Sequence, residues 1–185
     1  MTDVLLSADM LGILRDLRGK TFKSYECLLD PGIHSSSTYG NLRINLGRSA
    51  VEVRCRLIPV DDFLGGPDEA AALTCEVVNR SIPFIPYVKG VAKSYMVDEV
   101  IRNVEVVRDH VDCNDGASYV NMDVAFVIRT RYRVFAFSID TYFDETIKIE
   151  IVDTNDRHNG VTPIESLWIG SDDLTLTVTR EVLEL

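Results

Sequence analysis

The chain has 185 residues, 46% of them apolar, and a formal charge of −10. That length and composition support one folded β-rich domain over 1–185 with a real core, and no apolar run is long enough for a membrane-spanning helix. The acidic balance weighs against nucleic acid and anionic membrane as partners, because both attract basic patches.

The opening Met1-Thr2-Asp3 has an acid where a secretory signal has a basic region, so a cytoplasmic protein is expected. Leu6 to Gly19 predicts an amphipathic helix. Ser7 is placed as N-cap and Asp9 suits the positive end of the dipole. Met10, Ile13, Leu14 and Leu17 form an apolar stripe that should lie on a sheet. A strand follows from Thr21 to Asp30, then a polar loop holding His34.

Asn41–Leu46 and Ala50–Ile58 read as a hairpin around Gly47-Arg48-Ser49. Its second strand alternates Val51, Val53, Cys55 and Leu57 with Glu52, Arg54 and Arg56. The text from Pro59 to Glu69 places four carboxylates around Gly65-Gly66-Pro67 and is read as a solvated acidic loop, since its spacing is not that of a calcium loop. Ala72–Val78 reads as a strand. Between Asn79 and Lys93, Pro83 and Pro86 bracket Phe84-Ile85, which excludes a central strand. This segment is expected to divide two subdomains near 80–94 or to offer an apolar loop to a partner, although packing against the parent domain is the commoner fate of such a loop.

Val97–Val111 carries two conflicting signals. Val97, Val100, Ile101 and Val104 fit a helical face, while the β-branched run that follows fits a strand. The reading is a short helical turn from about Tyr95 to Arg102, then a strand over Val104–Val111. From Tyr119 to Asp153 three alternating runs, separated near Thr130 and at Asp144-Glu145, predict a three-stranded antiparallel meander. Asp153–Gly160 is a polar turn, Pro163–Trp168 is read as the start of a strand, and Leu174–Arg180 as the last strand.

Four groups of residues were weighed as sites. Cys27, Cys55, Cys75 and Cys113 lack the paired spacing of a zinc centre and are read as reduced core thiols. In Asp109-His110-Val111-Asp112-Cys113, strand alternation puts His110 and Asp112 on one face, making them the catalytic candidates, in a cluster otherwise read as solvated charges at a strand end. Arg129, Arg131 and Arg133 form a basic knot suited to an anion. Asp153, Asn155, Asp156 and His158 supply oxygen and nitrogen donors, but Arg157 stands where an acceptor is needed, so no metal is expected. Trp168 is read as core.

The expected fold class is α+β, mainly antiparallel β, with eight to ten short strands in one or two sheets and the N-terminal helix on a face. The expected function is a non-enzymatic protein-interaction or ligand-binding domain without a cofactor. It would meet a protein partner or a second copy of itself through a strand edge or through Phe84 and Ile85. The alternative is a small hydrolase or ligand-binding enzyme whose site assembles only in three dimensions.

Overall fold

The computed structural model describes residues 1–29, 37–63, 66–114, 116–154, 160–168 and 175–185. His34, the Asn155–Asn159 turn and the side chains of residues 61–67 lie outside the described residues. In chain order the elements are β1 (Thr2–Val4), α1 (Ala8–Arg15), β2 (Thr21–Leu29), β3 (Ser37–Asn45), β4 (Ser49–Phe63), β5 (Gly66–Asn79) and β6 (Lys93–Val100). Then come β7 (Asn103–Cys113), β8 (Ser118–Arg129), β9 (Arg133–Ile139), β10 (Thr146–Asp153), α2 (Ile164–Leu167) and β11 (Leu176–Glu184).

The protein is mainly antiparallel β. The hydrogen-bonded path runs β11-β7-β8-β9-β10-β3-β2-β6, with β4 and β5 branching from β3 and β1 lying parallel to β8. The meander is present as β8-β9-β10, and the hairpin as β3-β4. The hairpin follows from alternation of apolar and polar residues, whereas β8 and β9 are buried on both faces, with Val124–Ile128 and Val134–Ile139 inaccessible.

Eleven strands among the described residues exceed the expected eight to ten. One gain is β1, too short for alternation to reveal. The other is β6, where a helical turn was expected. Its pairing with β2 slips between Phe22 and Ser24, and Asp98 has φ 55. A bulge adds one residue and resets the two-residue period, so that Val97, Val100 and Ile101 mimic helical spacing. The run from Val104 to Val107 is interrupted likewise, by a register shift between Val107 and Arg108.

Two further readings are corrected. Pro163–Trp168 does not begin a strand: Ile164–Leu167 is a short helix with Pro163 at its N-cap. Pro59–Glu69 is not simply a loop, because β4 and β5 stay paired through Pro59↔Glu69, Val60↔Asp68 and Phe63↔Gly66. Pro59 is tolerated because the pairing of β4 with β3 covers only Ala50–Arg54, so no β3 partner awaits its missing N–H.

At β3 the sheet branches. Ser37–Tyr39 pair with β10, whereas Asn41–Asn45 pair with β4 on the same edge. Gly40 lies between the two pairings with φ +78. The β4–β5 arm lies against β8, and β4 also against β1. Across the interior, Phe22 of β2 meets Phe135 of β9 edge-on at 4.9 Å, and Phe137 stacks on Phe126 at 4.9 Å. Such aromatic pairs add roughly 0.5–1.5 kcal/mol each beyond the area they bury.

At the front, Ser7 caps α1 by accepting from the Met10 N–H at 3.3 Å, and Leu14 and Leu17 are fully buried. The Cys75 thiol of β5 approaches the Met10 carbonyl oxygen at 3.6 Å. All four cysteines are buried. Burial pushes the Cys27 and Cys55 thiols up to about 12 and Cys75 to about 11.

Asp109 is the polar tie at the far end. Fully buried on β7, it accepts from Arg180 Nε at 2.6 Å, Arg180 Nη2 at 2.7 Å and Trp168 Nε1 at 2.7 Å. It is therefore not part of a solvated strand-end cluster. Breaking a buried pair on one side leaves the other charge uncompensated. Asp109→Asn should lower the unfolding free energy in urea by about 3–5 kcal/mol. The emission of Trp168, the only tryptophan, should shift in the folded state as well.

Candidate functional site

The outer face of the β3–β4 hairpin and the segment after β5 enclose a groove of about 480 Å³. Asn41, Arg43, Glu52, Arg54 and Arg56 form its floor. Ile82, Pro83, Ile85, Pro86 and Tyr87 form its wall. Antiparallel register sets the floor: Arg43 stands opposite Glu52, and Asn41 opposite Arg54. Alternation then sends these polar side chains away from the face that buries Val51, Val53 and Cys55.

The wall is held by main-chain hydrogen bonds to floor side chains. The Asn41 amide donates to the Ile85 carbonyl at 3.0 Å and accepts from the Tyr87 N–H at 2.8 Å, as a neighbouring strand would. Arg43 Nη1 donates to the Ile82 carbonyl at 2.6 Å. Two prolines deny this segment a ladder, and buried side chains supply the partners instead.

Glu52 is only 8% exposed and gathers the positive charge. It accepts from Arg43 Nη2 at 3.2 Å, Arg54 Nη2 at 3.1 Å and Asn41 Nδ2 at 3.3 Å. Arg54 is shared with Glu76 at 2.5 Å. Arg56 differs: its guanidinium lies over the Tyr87 ring at 3.7 Å and donates to the Gly40 and Cys55 carbonyls. Among the described residues it has no carboxylate within ion-pair distance. Arg43 is 3% exposed, and its Nε has no hydrogen-bond partner among the described residues. Phe84 lies half-buried under the Arg43 guanidinium at 5.3 Å, while Ile85 is 75% exposed.

Of the residues singled out from sequence, Phe84 and Ile85 belong to this groove's wall segment, and the others are spread over other faces. His110 and Asp112 do share one face of β7. His110 Nδ1 contacts Asn121 Oδ1 at 2.7 Å and Nε2 faces Glu181 at 3.4 Å, while Asp112 accepts from the Gly116 N–H at 2.6 Å. The arginine knot is divided. Arg129 Nε donates to Glu105 at 2.5 Å, and Arg133 pairs with Glu99 while also donating to the Val97 carbonyl at 3.0 Å. Arg131 lies over the Tyr132 ring at 5.1 Å. Among the described residues, no three His, Cys, Asp or Glu side chains are arranged to hold a metal ion.

Reading the sequence did not find the groove. Its legible signals were the polar face of the hairpin, Glu52, Arg54 and Arg56, and the apolar Phe84-Ile85 pair between two prolines. Nothing in the spacing announced that a proline-rich segment some thirty residues onward would lie over it. Comparison with protein families, curated proteins and solved structures finds no match to this chain.

Burial works against ionisation of Glu99, but the hydrogen bonds from Thr130 (2.5 Å) and Arg133 (2.6 Å) outweigh it and hold the carboxyl below its ordinary 4.5. A depressed carboxylate stabilises the fold above its unfolded value, and the contribution is lost as pH falls through the folded value. Glu99→Gln should cost about 1–3 kcal/mol at pH 7 in urea unfolding. The difference from the parent should shrink as pH drops below 4.5. A gap that is constant with pH would refute the assignment.

Proposed function

We propose that the protein is a non-enzymatic interaction module that binds an extended, acidic and apolar segment of another protein along the first half of β6. The observation that carries this reading is a concentration of exposed apolar side chains. Of seventeen large apolar residues exposed among the described residues, seven fall between Ile82 and Val100: Ile82, Ile85, Tyr87, Val88, Val91, Met96 and Val100. Val91 is 83% and Met96 73% exposed.

Among the described residues β6 ends the hydrogen-bonded path, with β2 as its only strand partner. An open edge of this kind accepts an added strand, whose backbone supplies affinity and whose side chains supply selectivity. The second half of β6 is closed to such a guest by the Asp98 bulge and by Arg133 on the Val97 carbonyl. Lys93–Met96 remains.

Charge selects the guest. The chain carries −10 overall, yet no acid occurs between Glu76 and Asp98, while Arg80, Lys89 and Lys93 do. A segment alternating acidic and apolar residues complements that stretch, whereas a second copy of this acidic chain is disfavoured. On this reading the chain is one cytoplasmic folding unit, with α1 lying against the face of β5. A hydrolase built on His110 has less support, because both ring nitrogens already face Asn121 and Glu181.

The test uses an eight-residue Val-Glu repeat, acetylated and amidated, with a Val-Lys repeat as control. Amide resonances of Lys93–Met96 should shift with the first peptide and not the second. A Val91→Glu/Met96→Glu variant should bind about tenfold more weakly. Equal response to both peptides, an unaffected variant, or a dimer in sedimentation that covers β6 would overturn the proposal.

A further inference from the structure

The groove on the β3–β4 face has chemistry that a strand-binding edge does not require. The geometry points to a second site there, for an amphipathic monocarboxylate whose charged end meets Arg56, with buried Arg43 beneath it, and whose apolar body lies on Ile82, Pro83, Ile85 and Pro86. It does not depend on the β6 edge, which lies beyond β2 from this face.

Three observations carry the assignment. First, Arg43 is almost completely buried beneath the groove, its Nη groups donating to the Ile82 carbonyl and to Glu52, so its charge is fixed there. Such a cation acts on the groove as positive potential rather than as a hydrogen-bond donor, and little water screens it. Second, Arg56 is held rigid by Tyr87 and two carbonyls, yet faces no carboxylate among the described residues. A guanidinium already ordered loses little freedom when it binds an anion.

Third, the charges select valence. Arg43, Arg54 and Arg56 face Glu52 in the groove, with Glu76 on Arg54, which leaves one positive charge in excess. A single carboxylate neutralises it. A phosphate dianion would overshoot and place its second charge near buried Glu52. The wall then sets the rest of the ligand: two prolines and two isoleucines offer no donor or acceptor from their side chains, and they suit a hydrocarbon chain. At about 480 Å³ the groove is of small-ligand size.

This carboxylate has two natural sources, a free organic acid or the C-terminus of a peptide. Hexanoate, N-acetyl-Val-Leu with a free C-terminus, its amide, hexanol and inorganic phosphate separate them. Titrations are followed at the Arg56 Nε–H and at the Ile85 and Tyr87 amides. Hexanoate should move the Arg56 Nε–H and bind about tenfold more tightly than hexanol or phosphate. The acetylated dipeptide acid binding more tightly than hexanoate, with its amide silent, identifies a peptide terminus. The reverse order identifies a free acid.

Arg56→Gln should weaken hexanoate about tenfold. Ile85→Ser, at a residue so exposed that folding is spared, should weaken it severalfold. Hexanol or phosphate matching hexanoate, an unmoved Arg56 Nε–H, or unchanged affinity in both variants would overturn the site. Because the Val-Glu probe is amidated and the edge variants lie outside the groove, failure here leaves the β6 reading standing, and the converse holds as well.

Discussion

Gly40 sits where β3 changes partners. Before it, Ser37–Tyr39 pair with β10; after it, Asn41–Asn45 pair with β4 along the same edge. Two strands cannot occupy one edge in one plane, so the chain must turn between them. Gly40 does so at φ +78, a region where a side chain costs roughly 1–2 kcal/mol. Its N–H donates to the Glu145 carbonyl and its own carbonyl accepts from Arg56. The position is doubly specified, because a Cβ built there would lie 2.6 Å from the Cβ of Tyr87. Branching the sheet and seating the groove wall are thus one constraint.

The branch also explains the distribution of charge. Folding a large sheet back on itself brings polar edges of strands into the interior, and this acidic chain meets them with arginines. Asp109 takes Arg180, Glu105 takes Arg129, and Glu99 takes Arg133. Asp123 binds Arg108 and also accepts from the Leu6 N–H at 2.8 Å, pinning the segment after β1 to β8. Two of these pairs join the neighbouring strands β7 and β8 and two join strands farther apart in sequence, and in each the acid is the more buried member. Pairs of this kind add little net stability over an apolar substitute, but each is costly to break on one side only. Arg43 likewise pairs with Glu52, whereas Arg56 stands out: among the described residues it faces carbonyls and a ring rather than an acid.

What could be read from the sequence was what alternation controls. The β3–β4 hairpin, the β8-β9-β10 meander and the Ser7 cap depend on neighbours within a few residues. The misreadings have local physical causes. At Asp98 a bulge reset the strand period, and between Phe22 and Ser24 its partner could not show this. At Pro59 the proline and nearby acids resembled a loop, because a single chain does not display which strand edge lacks a partner. Asp109 read as a solvated charge because its partners, Arg180 and Trp168, lie more than fifty residues away. The groove was hidden for the same reason: Asn41 meets Ile85 and Tyr87 only once β3 and the segment after β5 are both in place.

The central claim is that Gly40 both divides the sheet and seats Tyr87 over the arginine face. Gly40→Ala tests it most directly, by urea unfolding combined with amide chemical shifts. Backbone strain and the clash with the root of the Tyr87 side chain together predict a loss of about 2–5 kcal/mol. The largest shift changes should fall at Glu145, Arg56 and Tyr87, the three neighbours of the turn. A variant within about 0.5 kcal/mol of the parent, with those three resonances unmoved, would contradict the account.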